Sequence, residues 1–281
     1  MGAPSTTVKR AARGLALQSV KVAAGAADLA RPRAPGVVVL IYHRVGRRAA
    51  TEIDLPTDLF ARQMEWLAAR GLAITLDDAL AVLASGSRPV PDPVVVTFDD
   101  GTADFADEAV PVLERYNVPA TLYVATDFVE RSVPFPAHGT PVSWAALADA
   151  VATGLVTIGS HTHTHALLDR LPPAEIDEEL DRSAGLIGER LGVAAEHFAY
   201  PKAVAGSPQA DTAVRRRFRS AALAGTRPNP YGATDAHRLA RSPVQVADGM
   251  RWFERKVAGG MALEDGLRRV LNLGRYAGAA T

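Results

Sequence analysis

The sequence predicts an α/β barrel in which parallel strands alternate with helices. Short apolar runs of strand length alternate with longer amphipathic segments along most of the chain. The strand runs are apolar almost throughout, as in a sheet that is covered on both faces. Ionisable side chains directly follow several of these runs, at the C-terminal strand ends where parallel barrels have their active sites. An open doubly wound sheet is the alternative, but no glycine fingerprint follows the first strand, residues 37–43.

The predicted strands are rich in β-branched and other apolar residues. They are residues 37–43, 72–77, 94–99, 121–126, 156–161, 197–201, 220–225 and 238–244. The predicted helices repeat apolar residues at three- and four-residue spacing. They are residues 57–70, 76–84, 103–116, 143–154, 173–192 and 207–218. Thr57 and Ser143 are predicted to cap helices at their N-termini, and Gly192 to end one.

The chain is predicted to form a barrel domain over residues 36–245 with a helical extension at each end. Residues 1–35 are a basic amphipathic extension and residues 246–281 a helical tail. No apolar run in the first extension is long enough to span a bilayer, and none fits a secretory signal. We therefore expect a cytoplasmic protein. Residues 7–30 either lie on the inner membrane surface or form a solvated extension.

Composition limits the partners and the metal ligands. The 31 Lys and Arg residues balance 31 Asp and Glu residues, which gives no electrostatic case for nucleic acid as a partner. The chain has no cysteine, so disulfides and thiolate metal sites are excluded. Any bound metal must be held by His, Asp or Glu.

Ionisable residues stand at the ends of three predicted strands. His43 ends VVVLIYH, Asp99 ends VVVTFD and is followed by Asp100, and His161 ends VTIGSH. Because the carboxyl ends of parallel strands meet at one rim, we expect these side chains to lie together. Two adjacent carboxylates repel each other unless a cation lies opposite or one of them serves proton transfer.

The stretch SHTHTHALL places two more histidines, His163 and His165, after His161. One carboxylate and two imidazoles, from His161 and His165, bind a metal and leave positions open for water and substrate. One aspartate would then bind the metal, whose positive charge offsets the repulsion between the two carboxylates. The other would stay free as a base beside water that the metal activates. The alternatives are an Asp-Asp-Gly turn with a helix cap, and an exposed histidine loop.

These motifs resemble those of the polysaccharide deacetylase family, whose members share the NodB homology domain. TFDDG (97–101) and SHTHTH (160–165) carry the resemblance, which extends over about residues 36–245. IYHRV (41–45) and HFAYP (197–201) are similar to segments of bacterial exopolysaccharide deacetylases. The resemblance implies a distorted (β/α) barrel of seven or eight strands that binds zinc, or cobalt or nickel in some members.

The resemblance also implies roles for single residues. Asp99 falls on the family's catalytic base, and Asp100, His161 and His165 fall on its metal ligands. Thr162 falls on a position whose hydroxyl is expected to steady the loop, whereas His163 is not a ligand position.

The implied reaction is hydrolysis of an N-acetyl group on an amino sugar, which gives a free amine and acetate. A polysaccharide, a lipid-linked saccharide and a nucleotide-linked saccharide all remain open as substrates. A non-catalytic carbohydrate-binding relative that kept the barrel and the metal site is the alternative. A hydrolase of a non-sugar amide with the same site is a third reading.

The sequence departs from the family at the positions of an arginine and of the general acid. Ala199 stands where the family has an arginine that steadies the base, and Arg241 stands where it has the acid histidine. His43 is therefore predicted to donate the proton or bind substrate, or else to brace the first strand. Tyr200, Lys202 and Arg241 are predicted to bind substrate, the two cations through an anionic group unless they are solvated rim charges. Alternatively, Arg241 pairs with Asp99 in place of the missing arginine.

Overall fold

Parallel strands close into a seven-stranded barrel in the computed structural model of the protein, which describes residues 21–26, 28, 34–264 and 266. In chain order the strands are β1 (Gly36–Tyr42), β2 (Arg44–Val45), β3 (Asp54–Leu55), β4 (Val94–Phe98), β5 (Ala120–Val124), β6 (Val156–Ser160), β7 (His197–Ala199), β8 (Ser220–Ala224), β9 (Asn229–Pro230) and β10 (Leu239–Pro243). The barrel runs in the order β1, β4, β5, β6, β7, β8, β10.

Pairing of the first strand with the last one closes the barrel. Val39 of β1 lies opposite Arg241 of β10 on one side and opposite Val95 of β4 on the other, both in parallel register. Strand β9 adds to the start of β1 in antiparallel orientation, and β2 and β3 form a separate parallel pair. The predicted barrel is confirmed, and the open sheet is excluded.

Helices cover the outside of the barrel. They are α1 (Thr57–Ala68), α2 (Leu76–Ser85), α3 (Val110–Tyr116), α4 (Thr126–Arg131), α5 (Trp144–Ala152), α6 (Pro173–Leu191), α7 (Pro208–Arg217) and α8 (Arg251–Val257). Ser143 caps α5 as predicted, since its Oγ accepts a hydrogen bond from the Ala146 N–H at 3.1 Å. Gly192 ends α6 in the left-handed conformation. The Thr57 cap is wrong: Pro56 takes that position, and the Thr57 hydroxyl donates to Glu108.

The strand predicted over residues 72–77 is wrong as well. Ala73 makes a single bridge to Val94, and helix α2 starts at Leu76. The reason is local: the Thr75 side chain accepts a hydrogen bond from the Asp78 N–H, which caps a helix. A short apolar run does not by itself distinguish a strand from the first turn of a buried helix.

Alternation along the strands divides the core into two layers. Val94, Val96 and Phe98 of β4 point outward and pack beneath the helices. Val95 points inward, to a cluster that α2 covers at the N-terminal end of the barrel with Leu76, Ala79 and Leu83. That end is therefore closed by apolar packing, and the polar side chains at the ends of the strands occupy the opposite rim.

The two terminal segments contact each other where the structure describes them. Lys21 lies in a helical stretch, 21–26, and its buried ammonium pairs with Asp248 and Glu264 at 2.5 and 2.8 Å. The membrane contact predicted for residues 7–30 falls largely outside the described residues, as does the tail beyond residue 266. Among the described residues, no helix combines the length and apolar character needed to cross a bilayer.

Candidate metal centre and catalytic pair

Asp100, His161 and His165 bring three ligand atoms within 4.8 Å of one another at the C-terminal rim. Asp100 Oδ1 lies 3.7 Å from His161 Nε2 and 3.4 Å from His165 Nε2. His161 follows β6, and Asp100 follows β4 after one residue. The structure therefore brings together the three residues that the sequence predicted as metal ligands.

The orientation of His161 fits metal binding. Its Nδ1 lies 2.7 Å from the carbonyl oxygen of Ala199, which only accepts, so Nδ1 carries the proton and donates it. The Nε2 lone pair is thereby turned toward Asp100. A metal-binding histidine characteristically donates its other ring N–H to such an acceptor. One carboxylate and two imidazoles are a donor set suited to zinc, so the site fits the metal that the motifs imply.

A carboxylate from helix α6 holds the loop that carries the two histidines. Glu179 Oε2 accepts hydrogen bonds from the N–H groups of His163 and Thr164 at 2.9 and 2.8 Å. Its Oε1 accepts from the Thr164 hydroxyl at 2.6 Å. Thr162, in contrast, has a buried hydroxyl without a hydrogen-bond partner, so its predicted role in steadying the loop is wrong. No sequence motif links Glu179 to the loop, so this contact could not be predicted from the sequence.

The loop needs this support because its backbone is strained. Thr162 and His165 both adopt positive φ angles, 64° and 63°. Non-glycine residues enter the left-handed region at a cost of about 1–2 kcal/mol each, so neighbouring contacts must hold them there. His163, which is not a ligand position, turns to helix α4, with Nδ1 2.9 Å from Thr126 Oγ1.

Glu179→Gln is expected to weaken zinc binding by about 10- to 100-fold, because substitutions of residues that support metal ligands have effects of this size. The variant loses the carboxylate that accepts three hydrogen bonds from the loop. Competition with a chromophoric chelator measures the affinity. Glu178→Gln is the matched control, since Glu178 is exposed on the same helix. Equal zinc affinity in the two variants would contradict the role of Glu179.

Arg241 forms a buried bidentate ion pair with Asp99. Its Nη1 and Nη2 donate to Asp99 Oδ1 and Oδ2 at 2.6 and 2.9 Å, and Nη1 also donates to Thr97 Oγ1 at 3.1 Å. Arg241 is 0% exposed and Asp99 is 4% exposed. Arg241 thus supplies the guanidinium that is missing at Ala199. The prediction that Arg241 binds an anionic substrate is wrong, because the side chain is buried with both Nη atoms directed to Asp99.

Neighbouring side chains keep both aspartates ionised. Burial alone would raise the pKa of Asp99, but the permanently charged Arg241 outweighs it and holds the pKa below its usual value. Burial opposes ionisation of Asp100 in the same way, and His165 and His43 hold its pKa well below the usual range. Burial lowers the pKa of His161 to about 4, although Asp99 raises it in part. At neutral pH His161 is therefore a neutral imidazole, the form that binds metals.

The metal-free protein is expected to lose stability as the pH falls from about 6.5 to about 4. In this window the unfolded chain protonates His161 while the folded chain leaves it neutral, so protons favour unfolding. The loss from this residue reaches about 3 kcal/mol, and Asp99 and Asp100 contribute only at lower pH. Urea unfolding at several pH values measures it. His161→Gln is expected to show a shallower pH dependence, and an unchanged one would contradict the prediction.

The structure places His43 at the rim beside the two aspartates. Tyr42 and Phe98 pair across β1 and β4, so the residues that follow them, His43 and Asp99, stand side by side. The charge of His43, when protonated, lowers the pKa of both aspartates. His43 Nδ1 is buried without a hydrogen-bond partner. The role of His43 as proton donor stays a prediction.

A cavity of about 350 Å³ opens beside the three ligands and includes Asp100 and His165 in its wall. Phe128 and Phe135 also line it. Their rings are stacked, with centroids 4.2 Å apart and an angle of 11° between the ring planes. Lys202 lines it too, as expected for a rim residue.

Tyr200 has no place in this cavity. Its side chain is 2% exposed and packs against Phe198 in the core beneath the helices, with ring centroids 4.9 Å apart. Alternation along the chain turns Ala199 into the barrel and Tyr200 outward. The prediction that the Tyr200 side chain binds substrate is therefore wrong.

Together, the fold and the rim define a parallel (β/α) barrel protein with a polar site at the carboxyl ends of its strands. Comparison with known proteins narrows this class. Residues 86–219 match the family model described as polysaccharide deacetylase. This match agrees with the family that the motifs resemble.

Curated relatives match part of the chain. The poly-β-1,6-N-acetyl-D-glucosamine N-deacetylase of Staphylococcus epidermidis is 34% identical over 147 residues, which cover 46% of this chain and 50% of that protein. The putative polysaccharide deacetylase YxkH of Bacillus subtilis is 27% identical over 164 residues, or 58% of this chain and 55% of that protein. The match thus spans about half the length of each relative.

Solved structures share the fold over most of the described barrel. IcaB from Ammonifex degensii is 27% identical, with a TM-score of 0.69 over 79% of this chain and 98% of that chain. The Streptococcus pyogenes deacetylase PplD, 19% identical, has the same TM-score over 80% of this chain and 99% of that chain, and this likeness concerns the fold alone.

Proposed function

We propose that the chain is a metal-dependent N-deacetylase that removes acetyl groups from a polymer of N-acetylated amino sugars. The observation that carries the proposal is the position of Asp99, which Arg241 holds ionised beside Asp100, His161 and His165. A binding module would not need a second ionised, oriented carboxylate next to a candidate metal centre. Two of the similar proteins, from Staphylococcus epidermidis and Escherichia coli, are named as deacetylases of poly-β-1,6-N-acetyl-D-glucosamine, which makes this polymer the first substrate to test.

Asp100, His161 and His165 would hold the metal. When bound there, zinc acts as a Lewis acid that polarises the amide carbonyl and lowers the pKa of water. Asp99 accepts a proton from the attacking water, since its carboxylate is ionised at neutral pH. Arg241 keeps this carboxylate in one orientation through two parallel hydrogen bonds.

The reaction also requires an acid. A C–O bond forms between the water oxygen and the carbonyl carbon, and the C–N bond then breaks. The departing nitrogen takes up a proton as the amine leaves, and acetate remains. His43 stands next to Asp99 at the rim and in its protonated form donates this proton.

The cavity walls suit a sugar chain. The stacked rings of Phe128 and Phe135 offer apolar surface to one face of a sugar ring. Lys202 also lines the cavity, and its ammonium is a hydrogen-bond donor for hydroxyl or anionic groups of the sugar. These contacts would place an N-acetyl group beside Asp100.

Acetate release from β-1,6-linked N-acetylglucosamine oligomers by the zinc-loaded chain tests the proposal. Asp99→Asn is expected to lower kcat by about 10²- to 10⁴-fold, the usual contribution of a general base, while zinc remains bound. Asp149→Asn, an exposed residue on α5, is the control and is expected to retain full activity. Lipid-linked and nucleotide-linked amino sugars and a non-sugar acetamide complete the substrate panel.

Two outcomes would contradict the proposal. Zinc binding without acetate release from any substrate would favour the carbohydrate-binding relative. Acetate release at the wild-type rate by Asp99→Asn would remove the proposed base. The cytoplasmic location and the membrane contact of residues 7–30 stay predictions.

A further inference from the structure

A second group of metal-ligand side chains lies at the opposite end of the barrel. Asp77, Glu196 and His197 bring one ligand atom each within 4.8 Å of one another. His197 is the first residue of β7, Glu196 precedes it, and Asp77 lies in the first turn of α2, which closes this end. The proposed deacetylation makes no use of these residues.

His197 is the unusual member of this group. Its side chain is 1% exposed, and Nδ1 lies 2.9 Å from Ser220 Oγ. Its Nε2 has no hydrogen-bond partner and points toward Asp77, with Oδ1 3.5 Å away. Nearly all buried polar atoms in proteins have a hydrogen-bond partner, so an imidazole nitrogen left open toward two carboxylates calls for a ligand.

The orientation of His197 suits metal binding. When Nδ1 donates its proton to Ser220 Oγ, the lone pair of Nε2 faces the carboxylates. This arrangement parallels that of His161 and the Ala199 carbonyl at the other end of the barrel.

Arg219 lies between the two carboxylates. Its Nη1 is 2.8 Å from Asp77 Oδ1 and 2.7 Å from Glu196 Oε2. The side chain is 55% exposed, and such exposed ion pairs contribute little to stability. Arg219 can therefore turn into solvent when a stronger cation arrives. The Arg219 guanidinium, which is only a hydrogen-bond donor, is directed to the carboxylates. It makes no hydrogen bond with His197 Nε2.

We propose that Asp77, Glu196 and His197 form a second divalent-cation site, which a zinc-like ion occupies by displacing the guanidinium of Arg219. Two carboxylate oxygens and one imidazole nitrogen suit zinc, cobalt or nickel. The ion would join α2 to the start of β7, at the barrel face where residues serve stability more than catalysis. The site is thus structural, and its occupancy is separate from acetate release.

Equilibrium dialysis of the full chain against zinc, with metal analysis, counts the ions per chain. We expect two ions in the wild type, one in Asp100→Asn and one in Glu196→Gln. Glu196 is an exposed surface residue, so its substitution is expected to leave the fold and acetate release unchanged. Asp78→Asn is the matched control, because Asp78 adjoins Asp77 but its carboxylate accepts a hydrogen bond from the Thr75 hydroxyl.

Arg219→Gln is expected to bind the second ion about tenfold more tightly, since no cation competes for the carboxylates.

A melting temperature that rises with zinc in Asp100→Asn, and fails to rise in Asp100→Asn/Glu196→Gln, would support the structural role. The proposal is overturned if the wild type binds only the ion that Asp100→Asn removes. It is equally overturned if Glu196→Gln retains both ions.

Discussion

Arg241→Gln is expected to destabilise the protein by about 3–5 kcal/mol, because it leaves the Asp99 carboxylate buried without its cationic partner. Acetate release is expected to fall by at least about 100-fold, since the base loses both its charge balance and its fixed orientation. Urea unfolding at pH 7 measures the first effect, and the initial rate of acetate release measures the second.

The pH dependence of this variant distinguishes a lost charge partner from lost packing. In the wild type the pKa of Asp99 is lowered, so its contribution to stability is present at neutral pH and is lost as the pH falls through the folded pKa. Without Arg241 the burial effect prevails and the pKa rises above the unfolded value. The destabilisation of Arg241→Gln should therefore be smaller at pH 4 than at pH 7. At pH 7 the buried Asp99 carboxylate must either stay charged without a partner or take up a proton, and both cost free energy.

Two further variants serve as controls. Arg238→Gln removes an arginine that is 50% exposed and lies 3.3 Å from Asp211, so we expect a change below about 1 kcal/mol. Asp99→Asn/Arg241→Gln removes both buried charges and should recover much of the lost stability. If Arg241→Gln were as stable and as active as Arg238→Gln, the ion pair would have neither proposed role.

Asp100→Asn is expected to reduce zinc affinity at the rim by more than about 100-fold and to abolish acetate release. Loss of a supporting residue already costs 10- to 100-fold, and this substitution removes the anionic ligand itself. Asp100 adopts a φ of 77°, a conformation that asparagine tolerates better than most residues, so the turn should be retained. Chelator competition and the acetate assay measure the two effects.

Asp127→Asn provides the comparison on the same rim. Asp127 Oδ1 lies 3.6 Å from Nε2 of His163, the histidine that is not part of the ligand group. This variant is expected to bind zinc with wild-type affinity. Wild-type zinc affinity and acetate release in Asp100→Asn would contradict the assignment of the ligands.

The ligand group could be predicted from sequence because each member belongs to a short local pattern. Asp100 follows a buried strand, and His161 and His165 stand at the end of another strand and in the loop after it. Parallel strands bring such ends to one rim whatever the packing elsewhere. The helix at Leu76, in contrast, was predicted as a strand, because a short apolar run fits both structures and one capping hydrogen bond from Thr75 decides between them.

Contacts between distant elements could not be predicted in the same way. Glu179 reaches the histidine loop only because α6 packs across β6, and no residue spacing encodes that contact. The exclusion of Tyr200 from the cavity likewise depends on which side of its strand faces the barrel interior.

By itself, the sequence determined the alternating strands and helices, the polar rim with its candidate ligands, and the resemblance to a family, because these depend on periodicity and on neighbours in the chain. Only the tertiary structure decided which cation faces Asp99. Closure of the barrel sets β10 against β1, and Arg241 then points inward at the level where its guanidinium meets the carboxylate. That pairing joins residues 142 positions apart, and only the geometry of the closed sheet places them in contact.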